Sequence, residues 1–168
     1  SSAQHALAAA QSTSTSYGSS GIFTALPAVG VVITRGRRLY AINGADTLLL
    51  YGDAPAWRNF TAGMSPGQDV FELNANLREL GFGAVAGDDF TAATEQAIRA
   101  LQRVRGLPMT GSFALGAVVF EPGAARVTSV APSVGQSVQP GPIMTLSSTR
   151  HDVSIDLNAA EQSHVKVG

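Results

Sequence analysis

The chain has 168 residues, of which 45% are hydrophobic and 14% are charged, with 18 glycines and 8 prolines. This composition favours a turn-rich globular β protein, and the formal net charge of -1 argues against a nucleic-acid or anionic-membrane surface. The absence of cysteine excludes disulfides, thiolate zinc sites and a cysteine nucleophile, and no apolar run approaches the ~20 residues that span a bilayer as a helix.

The first third of the chain predicts a flexible start followed by short strands. Residues 1–17 are rich in Ser, Ala, Thr and Gln without hydrophobic periodicity, which indicates a flexible segment. From Ile22 to Ile42, β-favouring runs alternate with proline and glycine, the pattern of short strands joined by tight turns. The run TLLLYGD predicts a further strand, and APAWRNFTAGM, which carries Trp57, predicts a connector.

The middle of the chain predicts two helices. Ser65 followed by Pro66 predicts the start of the first, with the Ser65 hydroxyl as its cap, and Gly81 predicts its end. The second is predicted to begin near Thr91 and to stop at Gly106. Residues spaced three or four apart predict one apolar face on each helix: Val70, Leu73, Leu77 and Leu80 on the first, and Ala97, Ile98, Leu101 and Val104 on the second. The predicted fillers between them are Phe82, Phe90, Leu107 and Met109.

Strand patterns return after Gly111 and include a second copy of an earlier stretch. PAVGVVITRGRRLYAI and PSVGQSVQPGPIMTL align with a constant offset of 105 residues, from Pro27 to Pro132. The aligned pairs are Pro27 and Pro132, Val29 and Val134, Gly30 and Gly135, Ile33 and Val138, Gly36 and Gly141, and Leu39 and Met144. We expect the two stretches to pack into one core with approximate two-fold symmetry, because neither half could bury its apolar face alone.

The helical segment resembles the peptidoglycan-binding domain family. The residues that carry the resemblance are Gly67, Asp69, Val70, Leu73, Leu77, Leu80, Gly81, Phe82, Phe90, Thr94, Ala97, Ile98, Leu101, Gln102, Gly106, Leu107 and Gly111. The resemblance implies a ligand groove between the helices, with Asp88, Asp89, Thr91, Thr94 and Gln102 as its polar groups. Each also has a structural alternative: Thr91 as a helix cap, Thr94 and Gln102 as braces between helix and loop, and the two aspartates in a turn or at the helix dipole.

The duplicated stretches resemble the half-motifs of lipoyl- and biotinyl-carrier domains. The only lysine in the chain is Lys166, so no lysine lies between the halves to be modified, and a carrier is nearly excluded. A lysine-free sandwich with an inserted module is similar to the periplasmic adaptor, or membrane-fusion, proteins of export systems, in particular those of actinobacteria with a peptidoglycan-binding insert. A strand that begins after residue 150, in HDVSIDLN, would then open a β-barrel or extend the sandwich.

These resemblances imply an α+β fold in four parts. After the flexible segment, a discontinuous lipoyl-like β-sandwich, or barrel-sandwich hybrid, occupies residues 18–62 and 112–150. A small helical peptidoglycan-binding-like domain at 63–111 interrupts it, and residues 151–168 hold the first strand of a truncated barrel or sandwich extension.

Reactive groups are too scattered in the sequence to predict an enzyme, a metal site or a cofactor site. His5, His151 and His164 form no metal-binding spacing, and the chain has no G-x-S-x-G motif or glycine-rich phosphate loop. Arg35, Arg37 and Arg38 form the densest charge cluster, expected at a first hairpin turn either as a solvated tip or as a contact for an acidic partner. Trp57 is predicted to anchor sandwich to insert, with sugar stacking as the alternative.

The functional expectation is an exported, non-enzymatic adaptor of an export or efflux system on the extracytoplasmic face of the membrane. Its expected partners are peptidoglycan and an inner-membrane transporter, with the membrane reached only through a segment outside these residues. The insert would bind peptidoglycan or act as a spacer. The alternative is a wall-binding targeting module of a hydrolase whose catalytic part lies elsewhere, which would not explain the duplicated strands.

Overall fold

The computed structural model describes residues 21–149 and the backbone of one further strand at 154–158. The segment 1–17, which was predicted to be flexible, lies outside these residues. His5, His151, His164 and Lys166 lie outside them as well. The elements are β1 Phe23–Ala25, β2 Val32–Ile33, β3 Arg38–Ile42, β4 Ala45–Tyr51, α1 Gln68–Glu79, α2 Ala92–Arg105, β5 Val118–Glu121, β6 Ala125–Val130, β7 Pro142–Ser148 and β8 Ser154–Asn158. The fold of the described residues is therefore α+β, with both helices between β4 and β5.

Two four-stranded sheets combine strands from before and after the helices. The first sheet has the order β1-β3-β4-β5, and the second has the order β2-β6-β7-β8. All pairs are antiparallel except β4 with β5, which run parallel because the helical segment carries the chain back between them. Strand β8 pairs with β7 and so forms an edge strand of the second sheet.

The duplicated stretches meet through reciprocal backbone contacts. Gly30 and Gly135, which are equivalent in the repeat, both adopt left-handed φ angles, of 97° and 94°. Each turn bonds a strand of the other half, in four hydrogen bonds: Gly30 N–H to Val127 O at 2.7 Å, Val127 N–H to Val31 O at 2.8 Å, Gly135 N–H to Phe23 O at 2.8 Å, and Phe23 N–H to Gln136 O at 3.0 Å. This exchange is the pattern of an approximate two-fold relation. These contacts are not specific to lipoyl-like domains, so the lipoyl-like fold of the sandwich stays a prediction.

The first sheet contributes to two hydrophobic cores, one on each face. Its inner face meets the second sheet in a core that draws on both halves of the repeat: Phe23, Ile33, Leu39, Tyr40, Ile42, Leu49, Val119, Ala125, Val127, Val138, Ile143, Met144 and Leu146. Its outer face meets the helices through Leu48 and Leu50 of β4 and Val118 and Phe120 of β5. Burial on both faces explains why β4 and β5 read as continuous apolar runs rather than alternating ones.

The helix boundaries agree with the sequence at three of four ends. Gly81 (φ 88°) terminates α1, Thr91 caps α2 and Gly106 (φ 73°) ends it. The prediction that Ser65 caps α1 is wrong: Gly67 is the N-cap residue, and the Ser65 hydroxyl accepts a hydrogen bond from Arg58 Nη1 at 2.7 Å.

The helices pack as predicted with two exceptions. Phe82, Phe90 and Leu107 lie against the helical core. Val104 and Met109 were expected there and are instead 58% and 44% exposed. Neither contributes to the helical core, because apolar spacing predicts a face of a helix but not what covers it.

The ends of the helical segment close on each other at the sandwich. Phe60 and Phe113 exchange two backbone hydrogen bonds, of 2.8 and 2.9 Å. The Phe60 ring lies edge-on to Phe120, with ring centroids 6.2 Å apart. An inserted domain requires adjacent entry and exit points, and this paired bridge supplies them.

Candidate functional site

Polar side chains tie helix α1 to the end of strand β4. Glu72 is only 8% exposed, and its carboxylate accepts hydrogen bonds from the backbone N–H groups of Asp53 (2.9 Å) and Ala54 (3.1 Å). Asn76 donates to the Tyr51 carbonyl (2.7 Å) and accepts the Tyr51 N–H (2.9 Å). A buried polar group without a partner costs about 1–3 kcal/mol, so these bonds hold the helix in one position on the sheet.

The arginine cluster does not form a hairpin tip. Strands β2 and β3 belong to different sheets, and the segment between them crosses from one to the other. Arg35 donates from Nε to Asn76 Oδ1 at 2.8 Å and lies over the Tyr51 ring at 4.3 Å, so it clamps the crossing to α1. Arg37 is exposed, and Arg38 lies 3.6 Å from Asp46. Arg37 and Arg38 therefore remain as candidate partner contacts.

Trp57 is not the seam anchor that was predicted, because its side chain is 64% exposed. The Arg58 guanidinium lies 4.7 Å from its ring centroid. Arg58 in turn donates to Asp69 at 2.7 and 2.9 Å, in a two-bond pair that leaves the Asp69 side chain 2% exposed. The hydrogen bonds to Asp69 raise the pKa of Arg58, which keeps the guanidinium charged.

Thr91 and Thr94 have the structural roles that were predicted as alternatives to ligand binding. Thr91 caps α2 in a reciprocal capping box with Thr94. The Thr94 hydroxyl, fully buried, donates to Asn74 Oδ1 at 2.7 Å. Asn74 in turn donates to the carbonyls of Gly87 (2.9 Å) and Asp89 (3.0 Å), which fixes the loop between the helices.

Gln102 is likewise a brace rather than an open ligand group. It is 4% exposed, its amide donates to Thr110 Oγ1 (3.1 Å) and Ser112 O (2.9 Å), and its carbonyl accepts the Gly111 N–H (3.0 Å). Gln102 also lies eleven residues after Thr91 along α2, which is about 16 Å of helix. The five predicted site residues therefore do not converge on one groove.

The predicted aspartates lie on an open surface beside α1. The side chains of Asp88 and Asp89 are exposed, and the Asp88 carbonyl accepts the Gly67 N–H at 3.2 Å. Gly67, Phe71 and Asn74 lie on one side of α1. The loop between the helices is hydrogen-bonded to Gly67 and to Asn74, at the two ends of this row. Phe71 is 45% exposed there, and Val85 of the same loop is 52% exposed. We call Phe71, Val85, Asp88 and Asp89 the α1 surface.

A groove of about 380 Å³ lies where the helical segment rejoins the first sheet. It is lined by residues 43–46, which form the β3–β4 turn and the start of β4, and by Gln102, Leu107, Pro108, Thr110, Ser112, Phe113, Ala114 and Ala117. Gln102 contributes to its wall, but the Gln102 amide is already engaged with Thr110, Ser112 and Gly111. The groove is mainly apolar, with Asp46 as its charged group.

The surfaces described suit noncovalent binding. Among residues 21–149, no group of three or more His, Cys, Asp or Glu side chains is arranged to hold a metal ion. Burial raises the pKa of Tyr40 to about 12, so this core hydroxyl stays protonated at neutral pH. Exposed aromatic and apolar groups next to carboxylates can instead contact the apolar faces and the hydroxyl or amide hydrogens of a polar polymer.

These features define a class of protein: a β-sandwich with an inserted, firmly seated helical domain that carries an exposed polar and aromatic surface. Residues 66–113 match the family model described as "Putative peptidoglycan binding domain". The chain therefore contains a peptidoglycan-binding domain, which indicates a cell-wall-associated location. Both sheets lie outside the match.

The other comparisons add no relative. No curated protein and no solved structure matches the chain significantly. Within the part of the chain that the structure describes, no helix has the length and apolar character to cross a membrane.

The sequence reasoning missed the polar residues that position the domain. Glu72 and Asn76 lie four residues apart on α1, among the apolar positions, and Asn74 faces the loop. Polar residues within an apolar stripe are a usable signal of buried hydrogen bonding. Their partners are backbone atoms of distant segments, which no spacing rule identifies.

Proposed function

We propose that this chain is a non-enzymatic adaptor of an export system in the cell envelope, in which the helical domain binds peptidoglycan and the sandwich assembles with a transporter. The observation that carries the proposal is the shared sheet. Strands β4 and β5 come directly before and after the helical domain in the sequence. One face of these strands packs in the sandwich core, and the other packs in the helical core. Wall binding is thereby coupled directly to the sandwich.

The coupling has a substantial energetic basis. Leu48, Leu50, Val118 and Phe120 are each at most 2% exposed and pack in the helical core. Burying one such side chain contributes about 1.5–3 kcal/mol, so separating the domain from the sheet would cost on the order of 6–12 kcal/mol before the hydrogen bonds of Glu72 and Asn76 are included. A freely swinging module is inconsistent with this cost.

The α1 surface is the proposed wall-binding face. Its exposed aromatic ring lies on α1, and its two carboxylates lie on a loop held by Asn74, so little ordering is needed on binding. The exposed part of this surface does not contribute to the helical core, so changes there leave folding intact.

Retention on purified peptidoglycan sacculi tests this proposal. Deleting the domain is a poor test, because it would expose the outer face of the first sheet. We expect Phe71→Ala and the double change Asp88→Asn with Asp89→Asn each to weaken retention about tenfold. Val104→Ala is the matched control, since Val104 is a similarly exposed apolar residue of the same domain. Equal retention of all variants would place binding elsewhere, and no retention of the wild type would leave the domain as a spacer.

The transporter part of the proposal requires the chain in its native membrane. A photo-crosslinking residue at exposed Arg37 should capture a membrane transporter if the sandwich faces one. Capture of a wall hydrolase instead, or a catalytic domain elsewhere in the same polypeptide, would favour the targeting-module alternative. That alternative accounts for the wall-binding domain but leaves the reciprocal pairing of the two halves without a purpose.

A further inference from the structure

Trp57 lies outside the matched peptidoglycan-binding domain but beside the start of its first helix. Its side chain is 64% exposed, whereas Phe60 and Phe120 are almost completely buried and Phe71 of α1 is 45% exposed. Arg58, which contacts this ring, also donates a hydrogen bond to the exposed Ser65. The exposed indole therefore lies against a charged side chain that is itself hydrogen-bonded.

Arg58 holds this ring in place from below. The guanidinium lies 4.7 Å from the ring centroid and is itself fixed by two hydrogen bonds to Asp69 and one to Ser65. Gly67 allows this approach, because a Cβ atom at that position would lie 2.7 Å from Arg58 Nη2. A ring braced by a fixed cation loses little conformational freedom when a ligand stacks on it.

The chemistry of this platform favours a neutral ring as its ligand. Asp69 balances the charge of Arg58, so the site presents no free cation for an anion. A protein partner would require roughly 800 Å² from each side, whereas one aromatic side chain offers about 150–250 Å². An area of that size suits the C–H face of one pyranose ring, which packs against the electron-rich face of an indole.

The platform is also continuous with the α1 surface. The Gly67 backbone touches both: its N–H bonds the Asp88 carbonyl, and its Cα side adjoins Arg58. A polymer lying across the start of α1 could therefore contact Trp57 and the α1 surface together. We propose that Trp57 is a stacking site for a sugar ring of the glycan strand, extending the wall-binding face beyond the matched domain. This inference rests on the proposed peptidoglycan binding.

Intrinsic fluorescence tests the inference directly, because Trp57 is the only tryptophan in the chain. The probes are a soluble N-acetylglucosamine oligomer and, separately, a soluble stem peptide without sugar. We expect the oligomer to shift the emission to shorter wavelength and to protect it from acrylamide quenching, and we expect the stem peptide to do neither. Trp57→Ala should weaken retention on sacculi about 3- to 10-fold, and Trp57→Phe should weaken it less. Circular dichroism checks that both variants fold.

The possible results separate the two proposals. Unchanged emission with the oligomer, together with wild-type retention of Trp57→Ala and reduced retention of Phe71→Ala, would overturn the stacking site and leave peptidoglycan binding intact. A shift produced by the stem peptide rather than the glycan would also overturn it. Failure of the wild-type chain to bind sacculi would refute the proposed peptidoglycan binding and leave the domain as a spacer, and an oligomer-dependent shift in that case would still support stacking.

Discussion

The substitution Thr94→Val removes a hydroxyl whose role can be distinguished from ligand binding. Thr94 is fully buried, donates to Asn74 Oδ1 at 2.7 Å and accepts the Thr91 N–H at 3.1 Å. Valine has nearly the same shape but can make neither bond. Loss of one side of the capping box costs about 1 kcal/mol, and the unpaired Asn74 oxygen costs about 1–3 kcal/mol.

We therefore expect Thr94→Val to lower the free energy of unfolding by about 2–4 kcal/mol, measured by urea denaturation. For a chain of this size, the melting temperature should fall by roughly 5–15 °C. Thr94→Ser is the matched control, since it keeps the hydroxyl and removes only a methyl group. Below the transition, Thr94→Val should still bind sacculi.

Two results would refute this reasoning. A Thr94→Val chain within about 0.5 kcal/mol of the wild type would show that the hydroxyl is not needed for the loop. Complete loss of sacculus binding by a variant shown to be folded would show that the Thr94 hydroxyl is needed for binding, as the family resemblance first implied.

Two further predictions compare residues that the sequence alone treats as equivalent. Arg35→Gln should lower the free energy of unfolding by about 1–3 kcal/mol, because it breaks the hydrogen bond to Asn76. Arg37→Gln, at an exposed position nearby, should change the free energy of unfolding by no more than about 0.5 kcal/mol in the same urea titration. Leu101→Ala should cost about 2–5 kcal/mol, and Val104→Ala well under 1 kcal/mol, because only Leu101 is buried in the helical core; equal thermal shifts for the two would contradict the packing of α2.

The helical domain packs on the same sheet that forms the sandwich core, and this determines how the two parts are mechanically connected. Leu49 and Val119 face the sandwich core, while Leu48 and Val118 face the helices. Alternate residues of the same two strands therefore stabilise both parts. A load on the helical domain would reach the sandwich through a sheet instead of a linker.

Local patterns in the sequence were sufficient for the elements that depend on local forces. Thr91 and Gly106 marked the ends of α2 because a side-chain cap and a left-handed glycine satisfy backbone groups within a few residues. The repeat around Gly30 and Gly135 indicated two related turns, because both positions require a positive φ.

Predictions that depended on distant partners were less successful. Ser65 looked like a cap until Arg58 supplied a different partner for its hydroxyl. Trp57 looked like a buried anchor because sequence records the size of a side chain but not what covers it. In the structure the ring rests against Arg58, which is paired with Asp69, and it stays 64% exposed.

The sequence by itself determined the helix pair, the duplicated turns and the lack of a lysine between the halves. Those features follow from residue identity, short-range hydrogen bonding and periodicity. Only the tertiary structure decided that β4 and β5 are buried on both faces, that Thr94 and Gln102 serve the fold, and that the Trp57 ring is exposed. These outcomes depend on which segments contact each other in the folded chain. Burial and hydrogen-bond pairing are set by those contacts and not by the sequence of any one segment.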